Sequence, residues 1–232
     1  MAVLVTGIMG SIGLGLGLIV LIADKGNSTV RVTGVSTKRV LSDNVKWILI
    51  VKQDDQNQKD AFKQHQNNIR TTLVFLANQG IAKDNIHIGI LNSKALEKYN
   101  REIGISIRSG CRLSQELTIN SLNVDKIKNA SKASSFLIGQ GVNVQIKDPV
   151  YTYSLLNKIR PQILADATKD AKARASKIAL ESGQNLGRLI SMGNATFQIT
   201  APNLSSVGSS GKYDTSTIEK DITAVMSANF KK

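Results

Sequence analysis

Residues 2–23 (AVLVTGIMGSIGLGLGLIVLIA) carry no charged side chain, in a chain that elsewhere holds 30 Lys and Arg against 17 Asp and Glu. As a helix rising 1.5 Å per residue, such a run spans roughly 33 Å, enough for a bilayer core of about 30 Å. The whole formal charge of +13 therefore belongs to the residues outside it. Hydrophobic residues make up 41% of the chain and charged ones 20%, which excludes a disordered polyampholyte. A length of 232 residues provides material for one large domain or two small ones. The single Cys excludes an intramolecular disulfide and a cysteine-based structural zinc site. Two His residues, His65 and His87, leave little for a His-rich metal centre.

Three readings compete for the first segment. AVLVTG followed by Gly7, Gly10, Gly13, Gly15 and Gly17 resembles the opening of a dinucleotide-binding strand and loop. Such a loop must lead into an amphipathic helix and a second strand with an acidic end, whereas here the apolar run continues to Ile22. A cleaved secretory signal lacks support from a preceding Lys or Arg and from an Ala-x-Ala before Asp24. A transmembrane anchor over residues 1–24 fits the length and uniform apolarity best. Gly7, Gly10, Gly13 and Gly17 then offer small residues at three- and four-residue spacing, which lets membrane helices pack closely; glycine is also simply common there. Lys25, Arg31, Lys38 and Arg39 follow the run, so the positive-inside rule points to a cytoplasmic C-terminal domain. Long domains translocate regardless of such counts, and the orientation stays open at this level.

From Thr29 the text changes to strand chemistry. Residues 29–40 alternate, a Ser42-Asp43-Asn44 turn follows, and VKWILIV (45–51) reads as the second arm of a β-hairpin with Trp47 as packing anchor. Phe62, Ile69, Leu73 and Leu76 recur at helical spacing up to Gly80. Strand patterns follow at 86–90 and 103–122, separated by the polar stretch NSKALEKYNRE. A helix is expected over 124–141, closed by Gly139 or Gly141, and a strand over VNVQIKDPVYTYS, where Pro149 demands an edge or bulge. The longest helix should cover about 155–182, alanine-rich and ending at Gly183. RLISMGNATFQI and IEKDITAVMSANF close the chain as strands, around a Ser/Gly-rich loop at 201–217. The predicted fold class is α+β: one mixed, largely antiparallel sheet packed with three helices over residues 29–232, preceded by the transmembrane helix.

The combination of VRVTGVSTKRVLSDNVKWILIV, GCRLSQELTINS, ILADATKDAKARASKIALESGQNLGRLISM and YDTSTIEKDITAV, in this order and spacing, resembles the SIMPL domain family of bacterial envelope proteins. Its relatives include a periplasmic immunogenic protein and an oxidative-stress defence protein. The resemblance implies an α+β fold, an extracytoplasmic location, and assembly into large oligomers in at least one relative. It implies no catalytic residue. Cys111 stands where the pattern commonly has Tyr.

No acyl-transfer elbow, P-loop, H-E-x-x-H or paired-Cys motif occurs, so no enzyme activity, cofactor or metal is expected. His65, in the polar run KQHQNN, is expected on the surface, and His87 on the outer face of a strand. Cys111, flanked by Arg108 and Arg112, is open to three readings: buried packing, pairing between subunits, or redox sensing. The densest basic cluster is Lys169, Lys172, Arg174 and Lys177, offset by Asp166 and Asp170; these are candidate contacts to anionic lipid or envelope polymer. Nucleic acid is disfavoured, because the basic residues are dispersed and aromatics are few. The function expected is that of a single-pass protein of the bacterial inner membrane, its soluble domain periplasmic, that builds a homo-oligomeric ring, cage or channel-like scaffold connected with envelope or oxidative stress. The alternatives are a secreted periplasmic binding module after leader cleavage and a redox-responsive protein centred on Cys111.

Overall fold

The computed structural model describes residues 29–102, 104–203 and 213–232. The predicted anchor over 1–24, with Gly7, Gly10, Gly13 and Gly17, lies outside the described residues. Among the described residues, no helix is long and apolar enough to cross a membrane. The fold is α+β with antiparallel sheets and three helical regions, but the strands form two sheets, of four and six strands, rather than the one predicted. The described residues divide into two compact units: Thr29–Thr37 with Arg160–Phe197 and Thr223–Lys232, and Lys38–Ile159 with the described part of 198–222.

The four-stranded sheet runs in the order β1 (Thr29–Leu41), β10 (Glu219–Lys231), β8 (Leu189–Met192), with β9 (Thr196–Thr200) also on β10. The long helix α4 (Leu156–Glu181) buries Ile163, Ala167, Ala171, Ala175 and Ala179, a strict four-residue repeat that forms one ridge along the helix. In the first unit Ala171 and Ala175 of this ridge pack with Val30, Val32, Ala228 and Phe230. The approach is close. A Cβ on Gly34 would lie 2.1 Å from the Ala167 carbonyl oxygen and 2.7 Å from the Ala171 Cβ, so only glycine fits the strand there. Asp170 reinforces the contact by accepting a hydrogen bond from the Val35 amide (2.9 Å) while also bonding Arg174 Nε (2.8 Å).

The six-stranded sheet of the second unit centres on β2 (Asn44–Asp55) and β5 (Ile105–Ser121), antiparallel from Val45 opposite Ser121 to Asp55 opposite Cys111. The other edge of β2 takes the short strands β6 (Val144–Ile146) and β7 (Val150–Thr152); β5 also pairs β3 (Ile86–Ile88) and β4 (Asn92–Asn100). Val45, Trp47, Leu49 and Val51 alternate into the core, each side chain contributing about 1.5–3 kcal/mol if fully buried. Trp47 spends its one donor on the Lys147 carbonyl (2.9 Å), so the ring is buried without an orphaned N–H. The core is completed by Phe75 and Leu76 of α1 (Gln58–Asn78), Ile127 and Ala130 of α2 (Val124–Ala133), and Leu137 of the short α3 (Ser135–Gly139). Asn57 caps α1 by accepting from the Lys59 amide, and Gly80 ends it at φ +71°.

Several expectations are corrected. β1 and β2 are not a hairpin: β1 pairs β10, and β2 pairs β5, β6 and β7. The expected Ser42-Asp43 turn is held instead by bonds to distant segments, from the Ser42 amide to Ile218 O (2.8 Å) and from the Asp43 amide to Thr152 O (3.1 Å). NSKALEKYNRE forms a nine-residue strand, β4, where the sequence showed only a polar stretch. Pro149 separates two strands, β6 and β7, as its missing N–H requires. RLISMGNATFQI likewise splits into β8 and β9, and the Gly193 amide between them donates to Ser227 O.

The Gly34 contact yields a prediction. Gly34→Ala should lower the unfolding free energy in urea titrations by about 1–3 kcal/mol, as overpacking does. Ala173→Ser, on the exposed side of α4, should stay within about 0.5 kcal/mol.

Candidate functional site

Cys111 lies in β5 opposite Ala95 of β4 and Asp55 of β2, buried in a small cluster with Ala61 and Leu113. Arg112 does not share its surroundings: the guanidinium forms a bidentate bond with Asp54, Nε to Oδ1 at 2.7 Å and Nη2 to Oδ2 at 2.5 Å. That bond holds the Asp54 carboxyl below the usual carboxylate range and raises Arg112. Lys169, Lys172, Arg174 and Lys177 are all exposed on α4. At 100° per residue they spread over more than half the circumference, and Lys169 and Arg174 are paired with Asp166 and Asp170. They do not form one continuous basic patch. Among the described residues, no group of three or more His, Cys, Asp or Glu side chains is placed to hold a metal.

The feature that stands out is the far end of the β4–β5 pair. β5 is paired with β2 only up to Cys111, so among the described residues Ile105–Gly110 are joined to β4 alone. At the end of the ribbon Gly104 adopts φ +69° and the Asn100 side chain accepts the Glu102 amide (2.9 Å). Two strands without a covering layer are marginal in water. This pair nevertheless exposes Tyr99 (60%), Ile105 (56%) and Ile107 (44%). Its free edge is blunted by Lys94 and Lys98 and by a register shift between Leu96 and Glu97, devices that suppress edge-to-edge pairing. The polar composition of 92–102 hid the ribbon, because neither strand face of β4 is buried and no alternation results.

A second cluster, also unseen in the sequence, fixes the segment before β10. Lys220 is fully buried, and its ammonium donates to Asp214 O (2.7 Å), Thr217 O (2.7 Å) and Asp214 Oδ2 (3.2 Å), which uses all three donors. Burial pushes the Asp214 carboxyl up, but donors from Thr217, Ser216 and Lys220 outweigh it and hold the group far below the ordinary value. The run Asp214-Thr215-Ser216-Thr217 is the readable signal, since Asx and Ser/Thr turns favour such residues.

Two outcomes are expected. The Asp214 carboxylate stabilises the fold at every pH above its unfolded value of about 3.9 and loses that contribution as pH falls through this value toward the lower native one. The melting-temperature gap between wild type and Asp214→Asn should therefore be full at pH 6 and narrow below pH ~3.9. Cys111 should resist alkylation by iodoacetamide in the folded protein and react on unfolding in urea, read by intact mass; rapid labelling of the native protein would show an open path to the thiol.

The SIMPL family model, described as a protein of unknown function (DUF541), matches residues 30–230. No curated protein matches the chain. The match takes in the sheets, the helices and the ribbon described above, and the chain belongs to the SIMPL family.

Proposed function

We propose that this SIMPL-family protein is an envelope protein, anchored in the inner membrane by residues 1–24, whose soluble part self-assembles into a homo-oligomer on the periplasmic side. The observation that carries this reading is the uncovered β4–β5 ribbon. Among the described residues, Tyr99, Ile105 and Ile107 are exposed on a two-stranded arm that has no third strand or helix to bury them. Apolar groups held out in this way favour a partner that removes them from water, and the blunted edge directs contact to the faces rather than to strand addition. The uncharged run at 2–23 supports the anchor by length and composition. The dispersed basic residues of α4 suit an anionic membrane surface or envelope polymer better than nucleic acid.

Assembly through the ribbon is tested on the full-length protein in detergent by mass photometry. A discrete oligomer is expected, and a strict monomer overturns the reading. Replacing Tyr99, Ile105 and Ile107 together by Ser should weaken self-association by at least about a hundred-fold, since interface anchors each carry on the order of 1–2 kcal/mol. The far-ultraviolet circular dichroism should be unchanged, because these side chains contribute nothing to the core.

A further inference from the structure

Helix α1 is turned against expectation. The residues it buries are Ala61, His65, Thr72, Phe75 and Leu76, whereas Phe62 of the predicted apolar stripe is 44% exposed and Ile69 and Leu73 are only half-buried. These three, with Ile88 and Leu91 from the segment around the end of β3, wall a groove of about 520 Å³. That volume lies in the range of small-molecule sites, which are mostly apolar with a few polar groups. Beyond Phe62 and Leu91 the groove continues past Lys59 and Ser93.

His65 lines this groove at 1% exposure, and its Nδ1 has no hydrogen-bond partner. The tautomer follows from its neighbour. Gln115 donates through Nε2 to the Gly89 carbonyl (2.8 Å), which leaves Gln115 Oε1 to face His65 Nε2 at 3.1 Å. Nε2 therefore carries the proton, and in the neutral ring Nδ1 is a bare acceptor. A buried acceptor without a donor costs about 1–3 kcal/mol. The charged residues along the groove are Arg70 and Lys59, with no carboxylate in either stretch. They stand roughly 16 Å apart along the helix axis.

We propose that this groove binds a single-chain anionic amphiphile of the fatty-acid class. The hydrocarbon chain lies on Phe62, Ile69, Leu73 and Leu91. The carboxylate sits where Arg70 and His65 both line the wall, its charge answering the guanidinium, with one water donating to both a carboxylate oxygen and His65 Nδ1. This site is independent of the ribbon and of any assembly made through it.

The test uses the full-length protein in phosphatidylcholine nanodiscs with dodecanoate carrying a photoreactive diazirine on its chain. Irradiation should give saturable labelling confined to peptides of α1 and the 84–94 region. Unlabelled dodecanoate should compete at least about ten-fold better than dodecyltrimethylammonium, which has the same chain and the opposite charge. Ile69→Glu should abolish labelling and Arg70→Gln should weaken it about ten-fold, at unchanged circular dichroism. Absence of labelling, labelling spread over the protein, or equal competition by the cation would each overturn the proposal. So would labelling seen only after the ribbon variant has dissociated the oligomer, which would assign the groove to a second copy.

Discussion

The tightest constraint in the first unit is the near-contact of α4 with β1 at Gly34. Helix and strand backbones approach so closely that a methyl group on either the strand glycine or a larger residue at Ala171 has nowhere to go. The four-residue alanine ridge exists to allow this approach, and the Asp170 carboxylate turns it to use by accepting the Val35 amide. A helix of higher side-chain volume would bury more apolar area per residue but would have to stand off from the strand. The small residues trade area for proximity, and proximity is what makes a helix carboxylate to strand amide bond geometrically available.

In the second unit the corresponding spine is the β2–β5 pair, and its dimensions explain the candidate interaction surface. β2 stops at Asp55, while β5 begins six residues before the point where that pairing starts. Among the described residues the excess is matched by β4 alone, so a two-stranded ribbon results from two strands of unequal reach. The same arrangement sets the groove. Residues 89–91 bridge β3 and β4 and supply Leu91 opposite the outward stripe of α1. The ribbon and the groove thus share an origin in how β5 distributes its partners along its length.

Much of the local structure was legible because local signals and tertiary packing agree. Gly80 ends α1, Pro149 breaks its strand, and Trp47 alternates with Val45 and Leu49 into the core. The family was legible too, from the order of four soft segments rather than from any one of them. What failed did so for definable reasons. The β1–β2 hairpin was inferred from adjacency, but strand pairing is settled by partners far away in sequence: the Ser42 and Asp43 amides are taken by Ile218 and Thr152. β4 was missed because a strand exposed on both faces has no hydrophobic period. His65 was placed on the surface because its neighbours are polar, yet a buried helix face can be built from Ala61, His65 and Thr72 when the opposing sheet approaches closely and Gln115 offers a hydrogen bond.

The sequence alone determined the family, the α+β class, most helix boundaries and the separation of an uncharged segment from a basic remainder. These depend on composition, caps and periodicity, all of which act over a few residues. The tertiary structure decided which strands pair, which face of α1 is inside, and that Lys220 and His65 are buried. Each of those is a competition between alternative long-range contacts whose free energies differ by the fit of particular side chains, and that fit exists only once the distant partners are in place.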